Sequence, residues 1–227
     1  MTLEEELSQY SYEILSENYL EYDISFKIIV IGDSGVGKSL LTSKGINNKI
    51  NKNDATIGFE YYTFNIKINE KVCKLQIWDT CGQEIYKSLI LNFYRNSSLV
   101  IIVYSIDNIN SFEDVENWKN EVIKNCDSNT KIILVGNKND LKQQRQVSFN
   151  DGLDCCKKNN FDCFFESSSV SELNVQKIFI KAAFLLYEDF LKIENTNLTK
   201  ETSDYKNNIT IEPSKVEDKK NGCCFLF

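Results

Sequence analysis

Lys38 and Ser39 are the first residues whose setting points to chemistry. They close Gly32-Asp33-Ser34-Gly35-Val36-Gly37-Lys38-Ser39, a G-x-x-x-x-G-K-S loop that follows the apolar run Ile28-Ile29-Val30-Ile31 and leads into Leu40-Leu41. A β-branched run, a glycine-punctuated turn and a new apolar segment read as strand, phosphate-binding loop and helix. The glycines let successive backbone N–H groups face one concavity, and the positive end of the helix adds to their pull on an anion. Gly32 to Leu40 would therefore line the phosphates of a nucleoside triphosphate. Lys38 would reach the β- and γ-phosphates and support the reaction there, and the Ser39 hydroxyl would ligate Mg²⁺.

Two later motifs add to this loop. Leu75-Gln76-Ile77-Trp78 delivers Asp79-Thr80-Cys81-Gly82-Gln83, and an acidic residue ending a strand beside a phosphate loop is the expected outer partner of Mg²⁺. The Gly82 backbone N–H would approach the γ-phosphate, and Gln83 would orient an attacking water. Ile132-Ile133-Leu134-Val135-Gly136 delivers Asn137-Lys138-Asn139-Asp140. The Asp140 carboxylate matches the paired N1–H and N2–H₂ donors of guanine, whereas adenine would leave it unpaired. Asn137 would tie the base to the loop, and the Lys138 stem would cover one face of it.

The chain contains no histidine, which removes histidine-based triads and general bases from consideration. Phosphoryl transfer tolerates that, because it rests on positioning and electrostatics. The net charge of −7 gives no bulk attraction to nucleic acid. The eight cysteines show no zinc spacing and favour a reduced, cytosolic compartment. No segment approaches the ~20 apolar residues of a membrane span. The acidic start reads as neither a signal peptide nor a myristoylation site.

The elements that must position these residues follow from hydrophobic periodicity. Strands are expected over Phe26–Ile31, Phe59–Ile68, Lys71–Trp78, Leu99–Tyr104, Lys131–Gly136 and Phe161–Phe165, the second and third forming a hairpin around Asn69-Glu70. Helices are expected from Lys38 towards Gly45, after a cap at Ser111, over Ser148–Lys158 and from Ser171 to about Ile193. The alternation predicts an α/β fold: a six-stranded, mainly parallel sheet with one antiparallel strand and helices on both faces. Ligands in such folds bind at the carboxyl ends of the strands, where each motif falls. Residues 1–24 read either as a short amphipathic helix through Leu3, Leu7, Tyr10 and Ile14 or as a frayed extension. Residues 25–193 form the domain, and 194–227 a flexible tail.

In combination, the three motifs resemble the small GTPases of the Ras superfamily over about residues 22–193, which implies their P-loop NTPase (Ras-like) fold. Thr56-Ile57-Gly58-Phe59-Glu60-Tyr61, Lys74-Leu75-Gln76-Ile77-Trp78-Asp79-Thr80, Phe93-Tyr94-Arg95 and Val103-Tyr104-Ser105-Ile106 resemble the Rab branch. The resemblance implies a monomeric GTPase of low intrinsic rate that uses Mg²⁺ and GTP or GDP to regulate vesicle traffic. Thr56 would be the switch I threonine, contacting Mg²⁺ and the γ-phosphate in the GTP state, and residues 80–95 would be switch II. Glu166-Ser167-Ser168-Ser169 resembles the family's E-T-S-A stretch, in which Ser168 would support Asp140 and the Ser169 N–H would meet the guanine carbonyl. Two guanine-site positions depart from the family: Lys49 stands where switch I usually has an aromatic, and Val170 where a lysine is usual. Both predict looser nucleotide binding.

The terminal Cys223-Cys224-Phe225-Leu226-Phe227 reads as a prenylation motif, with lipid on Cys224 and a second signal on Cys223. This implies a peripheral, lipid-anchored position on the cytosolic face of an endomembrane or the plasma membrane. The implied partners are an exchange factor, a GTPase-activating protein, a GDP-dissociation inhibitor, a prenyltransferase and effectors. A non-hydrolysing scaffold on the same fold is the alternative, supported only by Lys49 and Val170.

Overall fold

Hydrophobic runs too short for helices and too apolar for the surface become buried strands, and the described residues of the computed structural model contain seven strands, the first of them mostly exposed. The structure describes residues 9–47, 59–80 and 93–207. The strands are β1 Tyr12–Leu15, β2 Ile24–Ile31, β3 Phe59–Ile68, β4 Lys71–Thr80, β5 Leu99–Ser105, β6 Lys131–Asn137 and β7 Cys163–Glu166. They form one sheet in the order β1-β3-β4-β2-β5-β6-β7. The α-helices among the described residues are α1 Lys38–Asn47, α2 Ile109–Glu113, α3 Val115–Asn125, α4 Phe149–Lys158 and α5 Val175–Asn207.

Every residue of β5 is buried, as a central strand covered on both faces requires. On one face Ile29, Ile31, Val100 and Ile102 pack with Val115, Val122, Leu134 and Cys156, which seats α3 and α4. On the other, Phe64 of β3 meets Phe179 of α5 with ring centroids 6.2 Å apart.

Among the described residues the sheet has seven strands where six were expected. The added strand, Tyr12–Leu15, replaces both the helix and the frayed end read there, while Leu3 and Leu7 lie outside the described residues. Tyr12–Leu15 pairs antiparallel with Asn65–Ile68 of β3. The helical spacing of Tyr10 and Ile14 is also an alternation of Tyr12 and Ile14, and the open edge of β3 decides between them. Strand pairing satisfies edge N–H and C=O groups that a helix would leave bare. Tyr10 and Tyr12 then contact Phe184, at centroid distances of 5.4 and 5.5 Å. Because β1 is antiparallel to β3, and β3 to β4, β3 is still the one reversed strand.

Three smaller differences concern boundaries. The cap expected at Ser111 lies at Asn108, whose side chain accepts from the Asn110 and Ser111 N–H groups, and a break at Asp114 separates α2 from α3. The last strand ends at Glu166, one residue past Phe165, in register with Gly136. α5 begins at Val175 and is helical through Asn207, because residues 194–207 contain neither glycine nor proline to end it. The helix expected over Ser148–Lys158 is present, with Ser148 forming a capping box with Asp151.

Candidate functional site

The β2–α1 connection takes the shape its glycines permit. Gly32, Gly35 and Gly37 have φ of +139°, +78° and +95°, conformations that side-chain-bearing residues rarely adopt. A Cβ at Gly32 would lie 2.1 Å from the Val103 carbonyl oxygen, and one at Gly37 would lie 2.5 Å from Asn137 Nδ2. The loop therefore lies directly against β5 and the end of β6, which only glycine allows. Lys38 is buried and its Nζ donates to the carbonyls of Gly32 at 2.9 Å and Asp33 at 2.7 Å. The ammonium is thus folded back along the loop it would serve.

Asp79, near the end of β4, is fully buried. Among the described residues, neither of its carboxylate oxygens has a hydrogen-bond partner. Burial pushes its carboxyl up to about 6, Ser39 and Lys38 pull it down in part, and Glu60 pushes it up. Ser39 stands near enough to act on Asp79 without making a well-formed hydrogen bond to it. A buried, unpartnered carboxylate beside a hydroxyl is costly unless a cation joins them. This donor set fits Mg²⁺, a hard ion that takes oxygen ligands and keeps several waters.

The loops after β6 and β7 form the other half. Asn137 Nδ2 donates to the Val36 carbonyl at 2.9 Å, and Ser167 Oγ donates to Asn137 Oδ1 at 3.1 Å. Asn137 therefore ties the phosphate loop to the loop after β7. Ser168 Oγ donates to Asp140 Oδ1 and itself accepts from the Ser171 N–H at 3.1 Å. One Asp140 oxygen is thus held by protein while the side chain stays exposed. Lys138 adopts φ of +65°, and its Nζ lies 3.9 Å from Asp107 Oδ1. Ser169 is buried and Val170 is 74% exposed, so a valine here covers little.

Several side chains brace the site in ways that no motif reveals. Glu166 accepts from Asn139 Nδ2 and from both ends of the Arg145 guanidinium, with Nη2 at 2.8 Å. Because Asn139 also bonds the Ser167 carbonyl at 2.9 Å through its N–H, this ion pair braces both loops. Trp118 of α3 donates from Nε1 to Asp33 Oδ1 at 2.7 Å. Helical spacing can place Trp118 only on one face with Val115 and Val122, and no spacing rule links Arg145 to Glu166.

The described structure brings together the 32–40 loop, Asp79, Asn137, Lys138, Asp140, Ser168 and Ser169. Lys49, Thr56, Gly82, Gln83, Cys223 and Cys224 lie outside the described residues. No group of three or more acidic or cysteine side chains among the described residues is arranged to hold a metal by itself. No described helix is long and apolar enough to cross a membrane.

With this geometry in place, comparison with known proteins is specific. The Ras family model matches residues 27–188. The Ras-related protein Rab11B of Nicotiana tabacum is 40% identical over 169 residues, which is 74% of this chain and 77% of its own. The Ras-related protein rab-11.1 of Caenorhabditis elegans is 37% identical over 207 residues, 90% of this chain and 96% of its own. The Ras-related protein Rab-11B of Dictyostelium discoideum is 39% identical over 190 residues, 83% and 85% respectively.

Proposed function

The chain belongs to the Ras family, on its Rab branch, and from that premise we propose that it is a GTP/GDP switch regulating vesicle traffic. The observation that supports this most is that Asn137 bonds both Val36, in the loop that Lys38 closes, and Ser167, whose chain neighbour Ser168 holds Asp140. That link spans a triphosphate end and a guanine end, as a nucleotide requires. The backbone of residues 32–40 and Lys38 bind the phosphates, and Asp140, steadied by Ser168, reads the base.

Ser39 and Thr56 would hold Mg²⁺, with Asp79 as their outer partner, and the ion would supply positive charge to the phosphates. Gln83 orients the attacking water, and Lys38 stabilises charge that develops on the phosphate oxygens. Thr56 and the Gly82 N–H contact the γ-phosphate only before hydrolysis, so its loss releases both switch segments and changes which effectors bind. With no arginine assigned to the phosphates, intrinsic turnover is slow, and an activating protein supplies the missing charge. Ras itself, a relative of this chain, gains roughly 10⁵-fold in that way.

Lipid on Cys223 and Cys224 holds the protein at the cytosolic face of an endomembrane, where exchange factor, dissociation inhibitor and effectors meet it. Mass spectrometry of the native C-terminus reads that modification directly.

Chromatography of nucleotide released from the purified chain, with single-turnover hydrolysis of Gln83→Leu, tests the switch. Bound GDP in the parent is expected, and slower hydrolysis with GTP binding retained in the variant. An empty or permanently GTP-filled site would overturn the hydrolytic reading in favour of a scaffold, for which the comparisons give no support.

A further inference from the structure

The phosphate loop contains a carboxylate, which a loop built to hold a polyanion has reason to keep at a distance. Asp33 sits between Gly32 and Ser34, and Lys38 takes its backbone carbonyl, not its side chain, at 2.7 Å. The carboxylate turns instead to α3, where Trp118 Nε1 donates to Oδ1 at 2.7 Å across 85 residues of sequence. Trp118 is fixed there on its own account. Its backbone N–H donates to the Asp114 carbonyl at 3.0 Å, and its ring packs against the core that contains Val115 and Val122.

The surroundings make this bond matter. Burial raises the Asp33 carboxyl above its ordinary range, the Trp118 N–H lowers it, the neighbouring Asp114 raises it, and Lys38 lowers it. Asp114 itself is engaged by Asn117 Nδ2 at 2.8 Å. The Asp33 carboxylate, within the loop proposed to take the phosphates, therefore has a close acidic neighbour in Asp114. The indole N–H is a neutral donor that holds it without adding a counter-charge.

We propose that Trp118 is a positioning residue of the nucleotide site: its indole N–H holds the Asp33 carboxylate on the α3 side of the loop and keeps that charge off the bound phosphates. The proposal rests on the GTPase reading. It predicts that losing the donor exposes the phosphates to a misplaced negative charge, and that removing the charge cancels the loss.

Release of mant-GDP from the full chain tests this. Trp118→Phe keeps an aromatic ring against the core and removes the donor together with part of the indole's bulk, so melting temperature is read beside release. The variant is expected to speed release about tenfold, the scale of one hydrogen bond to a charged group. Asp33→Asn in the Trp118→Phe background should restore the parent rate, although the melting temperature stays at that of Trp118→Phe. A purely structural tryptophan would not show that split. Asp33→Asn alone, which keeps an oxygen for the indole and drops the charge, should release GDP more slowly than the parent. Parent-like release from Trp118→Phe, failure of the double variant to recover, or faster release from Asp33→Asn would each overturn the tryptophan's role alone. A parent chain that takes up no mant-GDP would overturn the GTPase reading and this proposal together.

Discussion

The two ends of the β3–β4 hairpin are built on different terms. At one end, Phe59 pairs with Thr80, and the chain passes directly into the segments carrying Thr56, Gly82 and Gln83. At the other, Ile68 pairs with Lys71, and β1 closes the edge over Asn65–Ile68. Side-chain chemistry defines the first end and shape the second. At the proposed nucleotide end, a carboxylate such as Asp79 or a glycine such as Gly82 would act by what it does to a phosphate or its ion. At the β1 end, Asn65 is buried and donates from Nδ2 to the carbonyls of Ser16 at 2.9 Å and of Glu17 and Tyr19 at 3.3 Å. It holds the turn after β1 as a buried peg, and tyrosine rings press the strand onto α5. One hairpin thus carries both a chemical and a mechanical boundary, and substitutions should separate them.

Lys38→Ala gives the largest expected effect. It removes the ammonium that binds the phosphates in the proposed site and that holds the Gly32 and Asp33 carbonyls. GDP affinity should fall by about a hundredfold or more, the worth of charge-assisted hydrogen bonds in a partly desolvated site. Isothermal titration checks this, and unchanged affinity would break the comparison at its chemical end.

The same contrast explains what could be read from the chain. The phosphate loop, Asp79 and the Asn137–Asp140 stretch are local signatures: each sits within a few residues of a strand end, so type and spacing suffice to locate them. The hairpin was equally legible, because Asn69-Glu70 separates two alternating runs and Asn69 takes the φ of +52° such a tight turn needs. β1 was not, because a stretch as short as Tyr12–Leu15 becomes a strand only when β3 offers an edge. Tertiary pairing outweighs local periodicity there. The pairing of Arg145 with Glu166 and the bond from Trp118 to Asp33 were illegible for a related reason. Each acts through a partner that is distant in sequence, and nothing in the spacing of a single segment records such a partner.

The second prediction tests the mechanical end. Asn65→Ala should lower unfolding stability by about 2 kcal/mol, the cost of removing a buried amide that serves several carbonyls. GDP release should stay within about twofold of the parent, because stabilising the far end of a strand that β4 pairs throughout adds little at Phe59. Urea denaturation and mant-GDP release measure the two quantities separately. A large rise in the release rate would mean that the β1 edge belongs to the nucleotide machinery and that the two ends of the hairpin are one device.

The smallest expected effect distinguishes what holds β1 in place. Tyr12 meets Phe184 edge-on, with centroids 5.5 Å apart at 88°, while its backbone pairs with Ile68. Tyr12→Leu keeps apolar bulk and strand pairing and removes only the aromatic geometry. The expected cost is about 0.5–1 kcal/mol, less than that of Asn65→Ala. Hydrogen exchange at the Asn69 amide, which donates to the Ser11 carbonyl at 2.8 Å, reports the same ranking locally, because it is protected only while the chain entering β1 stays docked. If Tyr12→Leu releases that amide more than Asn65→Ala does, the rings on α5 hold the strand and the buried amide merely follows. If Asn65→Ala releases it more, the peg in β3 is the anchor, and β1 is an extension of the hairpin more than a strap on the helix.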